Sequence, residues 1–310
     1  MEKPSTAIKL IAIDIDGTLL TPTGQITLRT RAAIEEARRA GIIVTLATAR
    51  RYIGTMAVAT ELGIELPLIV YDGAMVVSHP SRAILVSRTL SSDTARRAIE
   101  IFQRSHVQPV IHPCENGSCL KEEVWTGPAE YDNAGVATYL TAALNRTRRM
   151  SYEELSSSSV NALRAVAFAE EELLRPMLPA FSALDCSVNF VTRGGYGSAE
   201  LAVLPAGCSK ASGVAALAAH YGLAMEEVMA LGDNYNDLEM LRGAGWGVAM
   251  GQAPEPVKAA AKAVTTTNLE DGAALAIERY ALDGRPRETL ASLIDQGAAV
   301  AALTSFDVLP

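Results

Sequence analysis

Aromatic side chains make up only 5% of this 310-residue chain, and it has four cysteines and four histidines. Long apolar runs are also missing: none approaches the ~20 residues that a membrane span requires, so no membrane partner is expected. Cys114, Cys119, Cys186 and Cys208 include no second close pair and no clustered histidines to complete a zinc set, and they do not form a disulfide framework. Reduced thiols are therefore expected. A net charge of -8 argues against a nucleic-acid backbone as partner, which would call for a basic patch. The nearest approach to one, Arg146, Arg148 and Arg149, reads as a solvated helix end. What remains is 49% hydrophobic and 20% charged residues, an ordinary globular composition in a chain long enough for about two domains. The first apolar run is broken by Asp14 and Asp16, so it reads as a core strand and not a signal peptide, and a cytoplasmic location is expected. On that expectation, Asn116-Gly117-Ser118 and Asn145-Arg146-Thr147 match the glycosylation pattern by chance.

Against this background, two carboxylates stand out. Asp14-Ile15-Asp16-Gly17-Thr18 follows the apolar run 8–13, which reads as an interior parallel strand. Open α/β sheets place their ligand crevice at the carboxyl ends of such strands. Residues two apart leave a strand on one face, and the resulting repulsion between carboxylates is commonly relieved by a cation. The pattern recurs in Leu231-Gly232-Asp233-Asn234-Tyr235-Asn236-Asp237 after the run 228–231. Alone, each segment reads as a capped turn; two such strand ends in one chain point to a shared site. Asp14, Asp16 and Asp233 form an oxygen-rich set suited to Mg2+.

Two weaker signals lie between them. The run 42–47 ends in Thr48-Ala49-Arg50, where a hydroxyl and consecutive backbone N–H groups could hold a phosphate or simply cap a helix. Lys210 precedes a helical pattern over 211–220. Its charge is opposite in sign to what a helix N-terminus prefers, which favours a role in neutralising phosphate oxygens and the neighbouring carboxylates.

Taken in order, Asp-x-Asp-Gly-Thr, a strand-terminal Thr, a Lys before a helix and Gly-Asp-x-x-Asn-Asp resemble the motifs of the haloacid dehalogenase superfamily. The chain is most similar to the Cof-type hydrolases with a type IIB cap, over about residues 8–281. Further support comes from Tyr71-Asp72-Gly73-Ala74, Gly247-Val248-Ala249-Met250-Gly251-Gln252-Ala253 and Asp271-Gly272. Two positions depart from the family pattern. Ala49 stands where Thr-Gly-Arg has glycine, and Asp72 stands where Asn-Gly-Ala has an amide.

The resemblance implies a doubly wound, Rossmann-like parallel sheet over residues 1–82 and 200–310, with an inserted α/β cap over 83–199 that sets substrate specificity. The expected cap is an open-faced sheet with two helices on one side. The resemblance also implies roles: Asp14 as nucleophile, Asp16 as general acid and base, and Mg2+ held by Asp14, the carbonyl of Asp16 and Asp233. Ile15, Thr48, Ala49, Lys210 and Asn236 would bind phosphate, and Asp237 would position Lys210 or a metal-bound water. The partner would be a small phosphate ester, acted on by a monomer or homodimer. A phosphatase of small phosphorylated metabolites, a phosphosugar mutase and a non-catalytic phosphometabolite-binding protein all remain open.

Along the chain, the hydrophobic period predicts helices over 27–40, 52–62, 93–105, 129–144 and 170–183. Strands are expected at 68–71, 84–87, 107–112, 163–169 and 186–192, with a return to the core at 199–204. The serine-rich stretch 152–159 reads as a loop, and 287–303 as a helix outside the family pattern. Cap-loop candidates for leaving-group contacts are His112, Glu115, Asn116, Trp125, Arg193 and Tyr196.

Overall fold

The computed structural model describes residues 3–114, 119–142, 146–158, 160–192 and 196–283. At its centre lies a five-stranded parallel sheet in the order Ala263–Val264, Trp246–Ala249, Val228–Gly232, Leu10–Ile13, Ile43–Leu46. Leu10–Ile13 is fully buried and apolar on both faces because both faces are covered. Ile11 and Ile13 pack with Ile34 and Ala37 of the helix Leu28–Arg39. Leu10 and Ala12 pack with Val214 and Leu217 of Lys210–His220. The helix Leu28–Arg39 starts where the Thr27 side chain accepts the Thr30 N–H, and Arg38 and Arg39 in its last turn complement the dipole. This is the doubly wound core implied by the resemblance.

A second sheet of six strands runs Cys186–Val191, Ala199–Pro205, Ala162–Ala169, Pro109–Pro113, Glu123–Thr126, Arg146–Arg149. It departs from expectation in several places. Ala199–Pro205 pairs with Ala162–Ala169 and Cys186–Val191, so the chain returns to the core only after residue 205. Ile84–Ser87, expected in the cap, instead pairs with Met75–Val77 in a three-stranded antiparallel sheet with Leu68–Val70. The cap sheet is not bare on its second face. Alternate residues Val110, Val166, Phe168 and Ala202 are apolar and are covered by Val136, Tyr139 and Leu140 of the helix Ala134–Ala142. The opposite face packs on Ala95, Ile99 and Phe102 of Ser92–Arg104.

Local chemistry explains the other differences. Residues 152–157 form a helix and not a loop, because Ser151 and Glu154 make a reciprocal capping box and Leu155 is buried. The stretch 170–183 is split by Pro176 and Pro179 into Glu171–Leu174, Arg175–Met177 and Leu178–Phe181. Arg146–Arg149 is an edge strand and not a helix end; Arg149 pairs with Asp132, and Arg148 lies over the Trp125 ring. Cys114 and Cys119 are joined as a disulfide with their Cα atoms 4.2 Å apart, while Cys186 and Cys208 are free. The expectation of four reduced thiols fails because the fold brings the sulfurs of Cys114 and Cys119 together. The stretch 287–303 lies outside the described residues. Among the described residues no helix is long and apolar enough to cross a membrane.

Candidate active site

The order of the central sheet reverses at Leu10–Ile13: the next strand in sequence that joins this sheet lies on one side of it, and the later ones on the other. Helices therefore leave the sheet in opposite directions there, and a crevice opens at the carboxyl ends of adjacent strands. Asp14 follows Ile13, and its backbone N–H donates to the Leu231 carbonyl at 3.0 Å. Asp233 follows Gly232 at the end of the neighbouring strand. Gly17, with φ +87°, is required twice over: its backbone is left-handed, and a Cβ would overlap the Asp233 carboxylate. Gly232 similarly leaves room for the Asp237 side chain.

Lys210 sits at the focus of this crevice, only 1% exposed. Its Nζ donates to Asp14 Oδ1 at 2.6 Å and to Asp237 Oδ1 at 2.7 Å. Asp237 is buried, and its other oxygen accepts the backbone N–H groups of Asp233 and Asn234 at 3.0 Å each. Burial works against the Lys210 ammonium, yet Asp14, Asp237 and Asp72 hold its pKa above the ordinary lysine range. The Asp14 carboxyl is pushed well up by burial; Lys210 counteracts this, while Asp237, Asp233 and Asp16 add to it. Asp233 rises to about 7, chiefly through burial and then the charge of Asp237. The Thr18 hydroxyl donates to Asp233 Oδ1 at 2.9 Å.

The other expected residues surround this group. Thr48 is buried, and its hydroxyl accepts the Arg50 N–H at 3.1 Å. Ala49 has no positive φ, so a methyl group in place of the family's glycine brings no backbone strain. The Asn236 amide donates to Asp72 Oδ1 at 3.1 Å. Ile15 is buried. The Asp16 side chain does not join the carboxylate group. Arg50 grips it with two hydrogen bonds, Nε to Oδ2 at 2.7 Å and Nη2 to Oδ1 at 2.6 Å. Among the described residues, three carboxylates bring oxygens within 4.8 Å of one another, those of Asp14, Asp233 and Asp237.

Sequence reasoning used Arg50 only for its backbone and missed the residues overhead. Arg164 and Glu200 on cap strands, and Arg51 and Glu122 where cap meets core, are all wholly or largely buried. Glu122 accepts the Ile53 N–H at 3.1 Å, and its backbone carbonyl accepts a hydrogen bond from Arg51 at 3.1 Å. Among the cap candidates, His112 is buried against Tyr71 and Tyr139, not exposed, and burial with nearby Arg164 and Arg51 drives its pKa well down. Tyr196 packs on Tyr139 and Phe168. Trp125 is buried under Arg148. Glu115, Asn116 and Arg193 lie outside the described residues.

Comparison with known proteins gives the family. A family model for haloacid dehalogenase-like hydrolases matches residues 11–277. The chain is 30% identical over 285 residues to stress response protein YhaX of Bacillus subtilis, covering 88% of this chain and 93% of that protein. It is 27% identical over 282 residues to pyridoxal phosphate phosphatase YbhA of Escherichia coli, covering 86% and 96%. The solved structure of BT4131, described as a subclass IIB sugar phosphatase of the same superfamily, superimposes with a TM-score of 0.72 at 27% identity, covering 87% of this chain and 98% of that one. With a family model matched over residues 11–277 and a relative 30% identical over 88% of its length, the chain belongs to the haloacid dehalogenase-like hydrolases, and its structural neighbours include subclass IIB phosphatases.

Proposed function

We propose that the chain is a Mg2+-dependent phosphatase of small phosphorylated metabolites, sugar phosphates or nucleotide-cofactor phosphates, working through an aspartyl-phosphate on Asp14. The observation that carries this reading is the buried Asp14 carboxylate, fixed by Lys210 at 2.6 Å beside Asp233 and Asp237. The donor set suits the ion: it is all oxygen, and the carboxyls of buried Asp14 and partly buried Asp233 are held above their ordinary range by burial and repulsion from neighbouring carboxylates. Both oxygens of Asp237 are already engaged. As the resemblance implies, Asp14, Asp233 and the main-chain carbonyl of Asp16 would hold Mg2+. When bound, the ion supplies positive charge that offsets repulsion between carboxylate and phosphate.

The remaining steps belong to the chain's own groups. An Asp14 oxygen attacks phosphorus as the bond to the leaving oxygen breaks, and Asp16 gives that oxygen a proton. Asp16 then takes a proton from the water that attacks the aspartyl-phosphate, which restores Asp14 and frees phosphate. Lys210 spends two N–H groups on Asp14 and Asp237, which leaves a third for a phosphoryl oxygen. Thr48, the Ile15 and Ala49 N–H groups and Asn236 bind the other phosphoryl oxygens. Arg50 holds both oxygens of Asp16 and favours its ionised form, so Asp16 must leave Arg50 to carry the proton to the leaving oxygen.

The test is phosphate release from a panel of phosphorylated metabolites, with and without Mg2+, for the wild type and Asp14→Asn. Release that requires both the ion and Asp14 is expected. Release by Asp14→Asn at the wild-type rate would sink the reading, and isomerised sugar phosphate without free phosphate would replace it with the mutase.

A further inference from the structure

Above the catalytic carboxylates, a second set of buried charges joins cap to core. Arg164, 2% exposed, comes from the cap strand Ala162–Ala169. Its Nη1 lies 3.3 Å from Glu200 Oε1 on the adjoining strand and 3.9 Å from Asp72 Oδ2 on the core. Its Nε is buried with no hydrogen-bond partner. His112, paired with Arg164 across the sheet, likewise has a buried Nδ1 without a partner. Buried arginines normally satisfy their fork through short bidentate bonds, the geometry that even the partly exposed Arg50 makes with Asp16. This guanidinium instead faces both carboxylates through one nitrogen, Nη1, shares a hydrogen bond with Tyr139 and leaves its buried Nε–H idle.

The set adjoins the reaction centre. Asp72 accepts from Asn236. The Glu200 carboxyl, raised to about 7 chiefly by burial and lowered by Arg164, also responds to the charges of Asp72, Asp16 and Lys210. The Tyr71 ring lies beneath Arg164, 5.8 Å from the guanidinium carbon.

We infer that Asp72, Arg164 and Glu200 read the leaving group, and that they favour a neutral, hydroxyl-rich one over one bearing a second anion. This rests on the phosphatase reading of the carboxylates below. Hydroxyl groups suit the set because each can donate to a carboxylate and accept from a guanidinium N–H. A second phosphate or carboxylate does not suit it, since one guanidinium already faces two acids and like charges repel. Asp72 supplies the deciding charge. Its φ of 51° lies in the left-handed region that Asp and Asn both tolerate, so the acid is not required by the turn.

The experiment is calorimetric binding to the full-length Asp14→Asn protein in Mg2+, with three probes: a hexose monophosphate, the corresponding bisphosphate and phenyl phosphate. The monophosphate is expected to bind about tenfold or more tighter than either of the others. Asp72→Asn should narrow the gap to the bisphosphate about tenfold, and Glu200→Gln should narrow both gaps by a similar factor. Both replacements keep size and shape, so a folding failure in one leaves the other to decide. A bisphosphate that binds as tightly as the monophosphate, or gaps that neither substitution moves, would overturn the inference. If the Asp14-intact protein releases phosphate from no ester while the binding order holds, the recognition role stands and the phosphatase reading falls.

Discussion

The floor of the site and its roof both bury charge, but they do so in different ways. On the floor, Lys210 makes two short bonds to Asp14 and Asp237, and Asp237 is itself locked by two backbone N–H groups. On the roof, Arg164 meets Glu200 at 3.3 Å and Asp72 at 3.9 Å and keeps a buried N–H unpaired. A site that must stabilise one kind of transition state gains from groups fixed beforehand. A site that must discriminate among ligands gains from groups whose partners arrive with the ligand. The contrast supports the proposals that chemistry lies in the core and selection on the facing six-stranded sheet.

The largest effect tests the floor. Asp14→Asn should lower the rate of phosphate release by roughly a thousandfold or more, while the substitutions at Glu200 and Asp72 change preference among substrates far more than they change the rate for a poor one. Next in size is Lys210→Met, which leaves Asp14 and Asp237 buried without their counter-charge. Urea unfolding in the absence of Mg2+ should show a loss of about 3–5 kcal/mol, and a loss near zero would mean that the lysine is not what holds the floor together.

Smaller, but able to separate the two regions, is the dependence of stability on pH. Asp233 and Glu200 are carboxyls whose folded pKa values rise to about 7, so the folded protein keeps protons that the unfolded chain gives up from about pH 4 upward. Each group therefore subtracts stability as pH rises from about 4 to about 7. Mg2+ should cancel the Asp233 share by neutralising the floor and leave the Glu200 share, which Glu200→Gln should remove. Unfolding at about pH 5 and about pH 8, with and without Mg2+, checks this; a slope that Mg2+ abolishes entirely would place Glu200 on the floor. The smallest expected effect lies beneath both regions: Thr27→Ala should cost about 1 kcal/mol through loss of its helix cap and leave substrate preference as it was.

The same contrast governs what could be read from the sequence. The floor was legible because its carboxylates come in short contiguous runs at strand ends, where Asp14, Asp233 and Asp237 stand out against apolar neighbours; Asp16 stands out equally, but its side chain turns to Arg50. The doubly wound core followed from the same runs. The roof was not legible, because Arg164, Glu200 and His112 come from three different strands and meet only once strand pairing and side-chain alternation are fixed. In sequence, Arg164 is a single charge within the apolar run 162–169. Asp72 did show as a departure from the family pattern, but the arginine facing it lies 92 positions away along the chain. The cap boundary slipped for the same reason, since 199–204 has the same apolar character whether it pairs in one sheet or the other.

The most direct test of the central claim is to quench the protein in acid during turnover with Mg2+ and a substrate it hydrolyses, and then locate the phosphoryl group by mass spectrometry. The account predicts one phosphoryl group on the peptide containing Asp14, absent from Asp14→Asn. Steady phosphate release with no labelled protein, or with the label on another residue, would contradict it.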